Sequence, residues 1–262
     1  MTAVHPRVAV SQISSWTWSV AEDLAFYREA GIHTVGVALR KLVEPGTADQ
    51  LAEAGLAWSD VIGVGSRRVA EGLALAARLG APMVVLTTGP AGPEPWEAAA
   101  DRFAETMGPL VDQARTAGVG LTLEHTNSLR ADVGFVHSLR DAIDLARRVD
   151  LGVCVEVNAC WGERDLASTI ADGIDRIRLV QVSDYAIGTT STPDRLVPGD
   201  GDIPLARILG QLLAAGYDGA FELELVGPRI DAEGYRSAIT RSVQYLSALL
   251  TDLGAEPASV GG

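Results

Sequence analysis

Four polar residues stand out because each sits at or near the end of a β-rich, largely apolar run. Glu124 ends "VGLTLE", Glu156 ends "LGVCVE", Gln181 lies in "IRLVQVS" and Glu224 lies in "AFELELV". Side chains alternate faces along a strand. Leu121 and Leu123 therefore oppose Thr122 and Glu124, and Val153 and Val155 oppose Cys154 and Glu156. Val180 and Val182 oppose Leu179, Gln181 and Ser183, and Phe221, Leu223 and Leu225 oppose Glu222 and Glu224. Carboxylates that converge in this way repel one another and lose solvation. A divalent cation relieves both penalties. The all-oxygen donor set of Glu124, Glu156, Gln181 and Glu224 favours one Mn²⁺ or Mg²⁺ ion over Zn²⁺. The competing arrangement pairs these groups with arginine or lysine in a polar core. Four in-phase polar residues on successive strands are hard to obtain by chance.

Such a constellation needs a scaffold that aims several strand ends at one point. Strand-like runs fall at residues 7–13, 33–39, 56–63, 82–88, 119–125, 151–157, 177–183 and 220–226. Helical patterns lie between them, among them 21–30, 68–79, 95–117 and 136–149. "REAGI", "ARLGAP", "RTAGVG" and "AAGYDG" each place a Gly just past a helix and ahead of the next strand. Alternating strands and helices predict a parallel α/β fold. Eight such units predict a single (β/α)₈ TIM barrel over residues 1–253, with 254–262 as a flexible C-terminal tail. The length of 262 residues suits that fold. Barrel active sites sit at the C-terminal strand ends, where the four polar residues fall. An open doubly wound sheet would carry a Gly-rich turn after its first strand, and "SQISSWTWS" is no such turn.

Composition narrows the partners. A formal net charge of −13 argues against nucleic acid, which wants a basic footprint. Cys154 and Cys160 are too few for a disulfide framework and read as reduced, buried thiols. The start "MTAVHPRVAV" lacks a basic segment followed by a long apolar run. No apolar stretch approaches the roughly 20 residues of a membrane helix. The expectation is a cytoplasmic protein that binds a small molecule, with no membrane or nucleic-acid partner. No nicotinamide or flavin fingerprint is present. The oligomeric state is left open, a homo-oligomer included.

Around the four residues the sequence offers further candidates. The segment 184–202 is long for a strand-to-helix connection, where about 2–6 residues is usual, and reads as a lid or substrate loop. Within it, Arg195 offers a guanidinium fork to a phosphate, carboxylate or sugar oxygen. Asp184 is placed to hold a metal-bound water or to orient Gln181. Trp16 and Trp18, after strand one, are candidates for an apolar wall, and Lys41, after strand two, for a substrate anion. The "GVG" at 63–65 is a weaker pocket candidate. His125 follows Glu124 directly, so alternation turns it away from the metal; His33 and His137 read as helix-boundary residues.

The stretches "VQVSDY" (180–185), "DRLVPGDGDIPL" (194–205) and "AGYDGAFELEL" (215–225), with "SSWTWSVAEDLAFYREAGIHTVGVALRKL" near the start, resemble the sugar phosphate isomerase/epimerase family of xylose-isomerase-like barrels. The resemblance runs over nearly the whole chain. It implies metal ligands on strands five to eight, at Glu124, Glu156, Gln181 and Glu224. Glu156 stands where the family usually has Asp, and Ala159 stands where relatives tend to carry a His. The resemblance also implies that Glu124 and Glu224 are the paired acid/base residues. The activity it implies is isomerisation or epimerisation of a sugar or sugar-like hydroxyketone through a metal-stabilised enediolate. Dehydration or lyase cleavage of a cyclic hydroxyketone, such as a 3-dehydroshikimate- or inosose-like compound, shares the same first step. A non-catalytic barrel is the remaining alternative.

Overall fold

The computed structural model describes residues 3–65 and 68–256. Eight parallel strands close on themselves in chain order: β1 (Val8–Ser11), β2 (Thr34–Ala38), β3 (Ala57–Val64), β4 (Met83–Leu86), β5 (Gly120–Glu124), β6 (Gly152–Glu156), β7 (Ile177–Val182) and β8 (Phe221–Leu223). The barrel closes where β1 pairs with β8, Val8 opposite Phe221 and Val10 opposite Leu223. Helices α1 (Val20–Ala30), α2 (Thr47–Ala52), α3 (Val69–Leu79), α4 (Trp96–Ala117) and α5 (Leu139–Val149) follow the first five strands. The one-turn helix α6 (Val157–Cys160) and α7 (Leu166–Gly173) follow β6, α8 (Leu205–Ala214) follows β7, and α9 (Pro228–Glu233) and α10 (Tyr235–Asp252) follow β8. This is the expected (β/α)₈ barrel.

Local chemistry sets the helix limits. Ser19 caps α1 in a reciprocal box with Glu22, satisfying two orphan N–H groups. Gly80 and Gly118 end α3 and α4 in the left-handed conformation that a Cβ disfavours. Asp150 takes that same conformation after α5 without being glycine. Seven of the eight strands end before the expected limit, while β3 runs one residue past it to Val64; at β1, β2 and β6 the exit coils into a short turn. Gln12–Ser15 and Leu39–Lys41 are 3₁₀ turns, and α6 starts at once after Glu156.

The strands' two faces have separate jobs. Leu121, Leu123, Val153, Val155, Val180, Val182, Phe221 and Leu223 point outward into the main core against the helices. Burial of each such side chain contributes roughly 1.5–3 kcal/mol. Inside the barrel, Ile62, Val85, Cys154 and Leu179 form a second, small apolar plug. The polar residues in phase with that plug lie at the C-terminal mouth. Both cysteines are buried and free. Among the described residues, no helix is long and apolar enough to cross a membrane. Gly254 and Ala255 are still bonded to the end of α10, and the Ala255 carbonyl lies 3.0 Å from His5 Nε2. Most of the expected tail, from residue 257 on, lies outside the described residues.

Candidate metal centre at the barrel mouth

Glu124, Glu156 and Glu224 converge at the C-terminal end of β5, β6 and just past β8. One ligand oxygen from each lies within 4.8 Å of the others. Gln181 is the register partner of Glu156 on the neighbouring strand and is completely buried. The three carboxylates line a cavity of about 430 Å³ that opens to solvent. Ile13, Trp16, Ile62 and Val85 form an apolar wall of that cavity, and Asn127, Arg130 and Asn158 add polar groups.

Charge at the site is uneven. Burial, followed by the neighbouring Glu224 and Glu156, holds the Glu124 carboxyl well above the ordinary carboxylate range. Burial pushes Glu156 up to about 7 against the opposing pull of Arg195. Arg195 comes from the β7–α8 connection. Its Nη2 lies 2.7 Å from Glu156 Oε2 and 3.5 Å from Glu224 Oε1, an ion pair without good hydrogen-bond alignment at Glu156. Its Nη1 donates to the Glu224 carbonyl at 2.9 Å. Burial alone would lower the Arg195 pKa, but Glu156, Glu224 and Glu124 together raise it above the ordinary value.

The donor set fits a hard divalent cation. Gln181 Oε1 and Glu224 Oε2 have no hydrogen-bond partner among the described residues although both are buried, and Glu156 Oε2 meets only the Arg195 guanidinium. Unsatisfied buried polar atoms are costly, and such atoms on and beside a carboxylate cluster ask for a ligand. Three carboxylate oxygens within 4.8 Å of one another are close enough to share one ion.

The other expected residues divide. Trp16 lines the cavity, with the Arg40 guanidinium stacked 3.2 Å from its ring centre. Trp18 turns away to pack edge-on against Phe26 and Tyr235. Gly63 and Gly65 line the cavity, and so does Ala159, where the resemblance led one to look for His. Thr192, Pro193 and Arg195 carry the long 184–202 connection into the cavity wall.

Two expected substrate contacts are corrected. Lys41 does not reach the cavity. Its ammonium is buried 2.7 Å from Asp23 Oδ2 and donates to the Ser15 carbonyl at 2.8 Å. Asp23, also bonded by Gln12 and Ser15, is the carboxylate that claims it. Asp184 neither faces the carboxylate cluster nor has an oxygen to spare. Oδ1 accepts the N–H groups of Tyr185 and Ile203, and Oδ2 those of Gly199 and Gly201. The connection is therefore bound down as a fixed strap rather than a free lid. Leu196 also pairs with Asp184, and Arg195 N–H donates to the Val226 carbonyl.

Sequence reading missed two supporting groups. His125 Nε2 accepts the Glu156 N–H at 3.2 Å, and Glu156 Oε1 accepts the Asn158 N–H at 2.9 Å. The backbone of one candidate ligand is thus fixed by the residue after another. Deeper in the barrel, Ser59 donates to Glu222 Oε2 at 2.7 Å beside Asp60. Burial raises Asp60 to about 6 and lifts Glu222 well above its ordinary value. Strand alternation marks Glu222, which shares a face with Glu224, but nothing in the sequence pairs it with Asp60.

The fold has many solved counterparts. Protein SMc04130 from Sinorhizobium meliloti 1021 superposes with a TM-score of 0.83 at 23% identity, over 93% of this chain and 98% of that one. The IolI protein with a bound zinc atom gives 0.81 at 16% identity over 94% and 99%. An L-ribulose 3-epimerase gives 0.77 at 17% identity over 95% of each chain. Comparison with curated proteins gives no significant sequence match. The family model of the xylose isomerase-like TIM barrel matches residues 64–246, which hold all four candidate ligands. The chain belongs to the xylose isomerase-like TIM barrel family.

Proposed function

We propose that this barrel is a divalent-metal-dependent isomerase or epimerase of a sugar or sugar-like hydroxyketone, with a small molecule as its partner. The observation that carries the reading is the convergence of Glu124, Glu156 and Glu224 on one point of an open cavity, with Gln181 buried beside them. These four residues would hold Mn²⁺ or Mg²⁺. When bound, such a cation would polarise the substrate carbonyl and offset the negative charge that develops on deprotonation.

The chain's own groups supply the rest. Glu124 and Glu224 are the proton carriers, one removing the carbon-bound proton and the other returning it. Burial and its acidic neighbours raise the Glu124 carboxyl in the metal-free cluster, and a bound cation would pull it back down, so its basicity would be set by the metal. Trp16, stiffened by Arg40, packs against the substrate's C–H face, while Asn127 and Asn158 meet its hydroxyls. Return of the proton to the same carbon gives epimerisation, and return to the neighbour gives isomerisation. The likeness to an L-ribulose 3-epimerase favours the first. A second reading, dehydration or lyase cleavage of a cyclic hydroxyketone, draws on the apolar wall of Ile13, Trp16, Ile62 and Val85. That wall offers no partner to the hydroxyls of an open-chain sugar.

The test has two stages. Elemental analysis of protein purified without chelator should find about one Mn²⁺ or Mg²⁺ per chain, restored by added Mn²⁺ if it washes out. A Glu124→Gln, Glu224→Gln double variant should lose it. Ketoses and cyclic hydroxyketones are then incubated with the loaded protein in D₂O. Deuterium entering the α-carbon without loss of water supports the epimerase or isomerase. Loss of water supports the second reading. No metal even with added Mn²⁺, or no exchange with any compound, would sink the proposal.

A further inference from the structure

Among the described residues, Arg195 is the guanidinium that reaches the carboxylate cluster. Arg195 Nη2 stands between Glu156 and Glu224, at 2.7 and 3.5 Å, and its other terminal nitrogen is tied to the Glu224 carbonyl. Its backbone N–H is tied to Val226, so the side chain is held over the cluster from a fixed root. Glu156 has both oxygens engaged, one by Asn158 N–H and one by Arg195, whereas Glu224 Oε2 and the Gln181 amide have no partner among the described residues. The other cation near the cluster, Arg130, is chelated through two nitrogens by Asp132.

We infer that Arg195 is a resident counter-ion of the metal centre, which holds Glu156 and Glu224 together before a divalent cation arrives and then competes with that cation for them. This rests on reading the carboxylate cluster as the metal centre. The physics is a contest of like charges for the same oxygens. Arg195 stabilises the metal-free cluster, because three buried carboxylates with no cation would repel. Once the dication binds, the same guanidinium sits close to it in a poorly screened site and weakens its hold. Coupling between two cations on shared ligands is therefore negative, and it is reciprocal. Arg195 trades tightness of metal binding for a site that is already assembled. A residue that merely oriented Glu156 as a ligand would have the opposite sign, since its loss would weaken metal binding.

The experiment is calorimetric titration of metal-stripped protein with Mn²⁺ alone, for the wild type, Arg195→Met and Arg195→Lys. The melting temperature of each is measured with and without Mn²⁺. Arg195→Met should bind Mn²⁺ about tenfold tighter or more. Its metal-free melting temperature should fall further below the wild type than its Mn²⁺-loaded one. Arg195→Lys, which keeps the charge, should restore affinity to near the wild-type value. If Arg195→Met does not fold, Arg195→Gln, which keeps a donor for the Glu224 carbonyl, takes its place. Equal or weaker Mn²⁺ binding by a folded, uncharged variant overturns the counter-ion role and leaves the metal centre standing. Failure of the wild type itself to bind Mn²⁺ overturns the metal centre, and this inference with it.

Discussion

His125 Nε2 accepts the backbone N–H of Glu156 at 3.2 Å, so the residue that follows one candidate ligand on β5 fixes the start of the turn that carries another on β6. Burial drops the His125 pKa from its ordinary 6.5 to about 4, which keeps the ring neutral and its nitrogen free to accept. His125→Leu leaves that buried N–H without a partner, at a cost of about 1–3 kcal/mol. Mn²⁺ affinity should fall with it, while His125→Gln, which keeps an acceptor, should lose less of both. The pH dependence has a definite sign. The folded pKa is depressed, so the unfolded chain binds the proton more tightly. The stability is fully present above about pH 6.5 and is lost as pH falls toward 4. Urea unfolding from pH 7.5 to 4 should show the wild type's advantage over His125→Gln shrinking in that window. An advantage that stays constant would mean that the ring is not buried neutral.

Asp184 gathers four backbone N–H groups from Tyr185, Gly199, Gly201 and Ile203, and so folds the strap that carries Arg195. Asp184→Ala leaves those four N–H groups without their acceptor, that of buried Ile203 included, and a loss of about 2–4 kcal/mol is expected from several such bonds. Hydrogen exchange should reveal the loss as faster exchange at Gly199, Gly201 and Ile203 ahead of the barrel strands. Because Arg195 hangs from this strap, the Arg195 contact with Glu156 should loosen as well. Uniform exchange at those three amides in both proteins would show that the strap is held by Leu196 and Val226 instead.

How much of this was legible in the sequence differs by kind of contact. Alternation on a strand is a local rule, so the inward sets at 122 and 124, 154 and 156, and 222 and 224 could be read directly, and the closed barrel follows from eight repeats of one unit. Contacts made by long side chains across loops follow no such rule. Lys41 reads as free until Asp23 of α1 is folded against it. Asp184 reads as a pocket carboxylate until the chain doubles back and presents four N–H groups to it. Arg195 is in the cavity, as its loop suggested, but its partners are the protein's own carboxylates. Strand lengths were overread at the exits because the β-rich composition continues into turns whose course is set by Gln12, Glu156 and their neighbours.

The Lys41–Asp23 pair is nearly enclosed, and it ties the exit of β2 to α1 and to the Ser15 turn next to Trp16. Removing one partner leaves a buried charge alone. Lys41→Met should therefore cost about 3–5 kcal/mol, whereas the double change Lys41→Met, Asp23→Leu should cost distinctly less than the sum of its parts. Thermal melts of the four proteins of this cycle measure the coupling. Substrate affinity in the single variant should fall along with stability, because the Trp16 wall loses its support. Additive losses would mean that the pair is held by other contacts.

Gly36 on β2 leaves room for the deepest acids in the barrel. A Cβ there would lie 2.2 Å from Glu222 Oε2 and 2.9 Å from Asp60 Oδ2. Glu222 is fixed by Ser59 and has no exposed surface, so it has little space to swing aside. Gly36→Ala should cost about 1–3 kcal/mol by overpacking. Glu222 is the closer of the two contacts, so most of the cost should vanish in a Glu222→Ala background, where the methyl fills space that the carboxylate gives up, leaving the part set by Asp60. Denaturant melts of the two single variants and the double variant decide the matter. If Gly36→Ala is equally costly with and without Glu222, the cost lies with Asp60 or the β2 backbone, and Glu222 does not require the glycine.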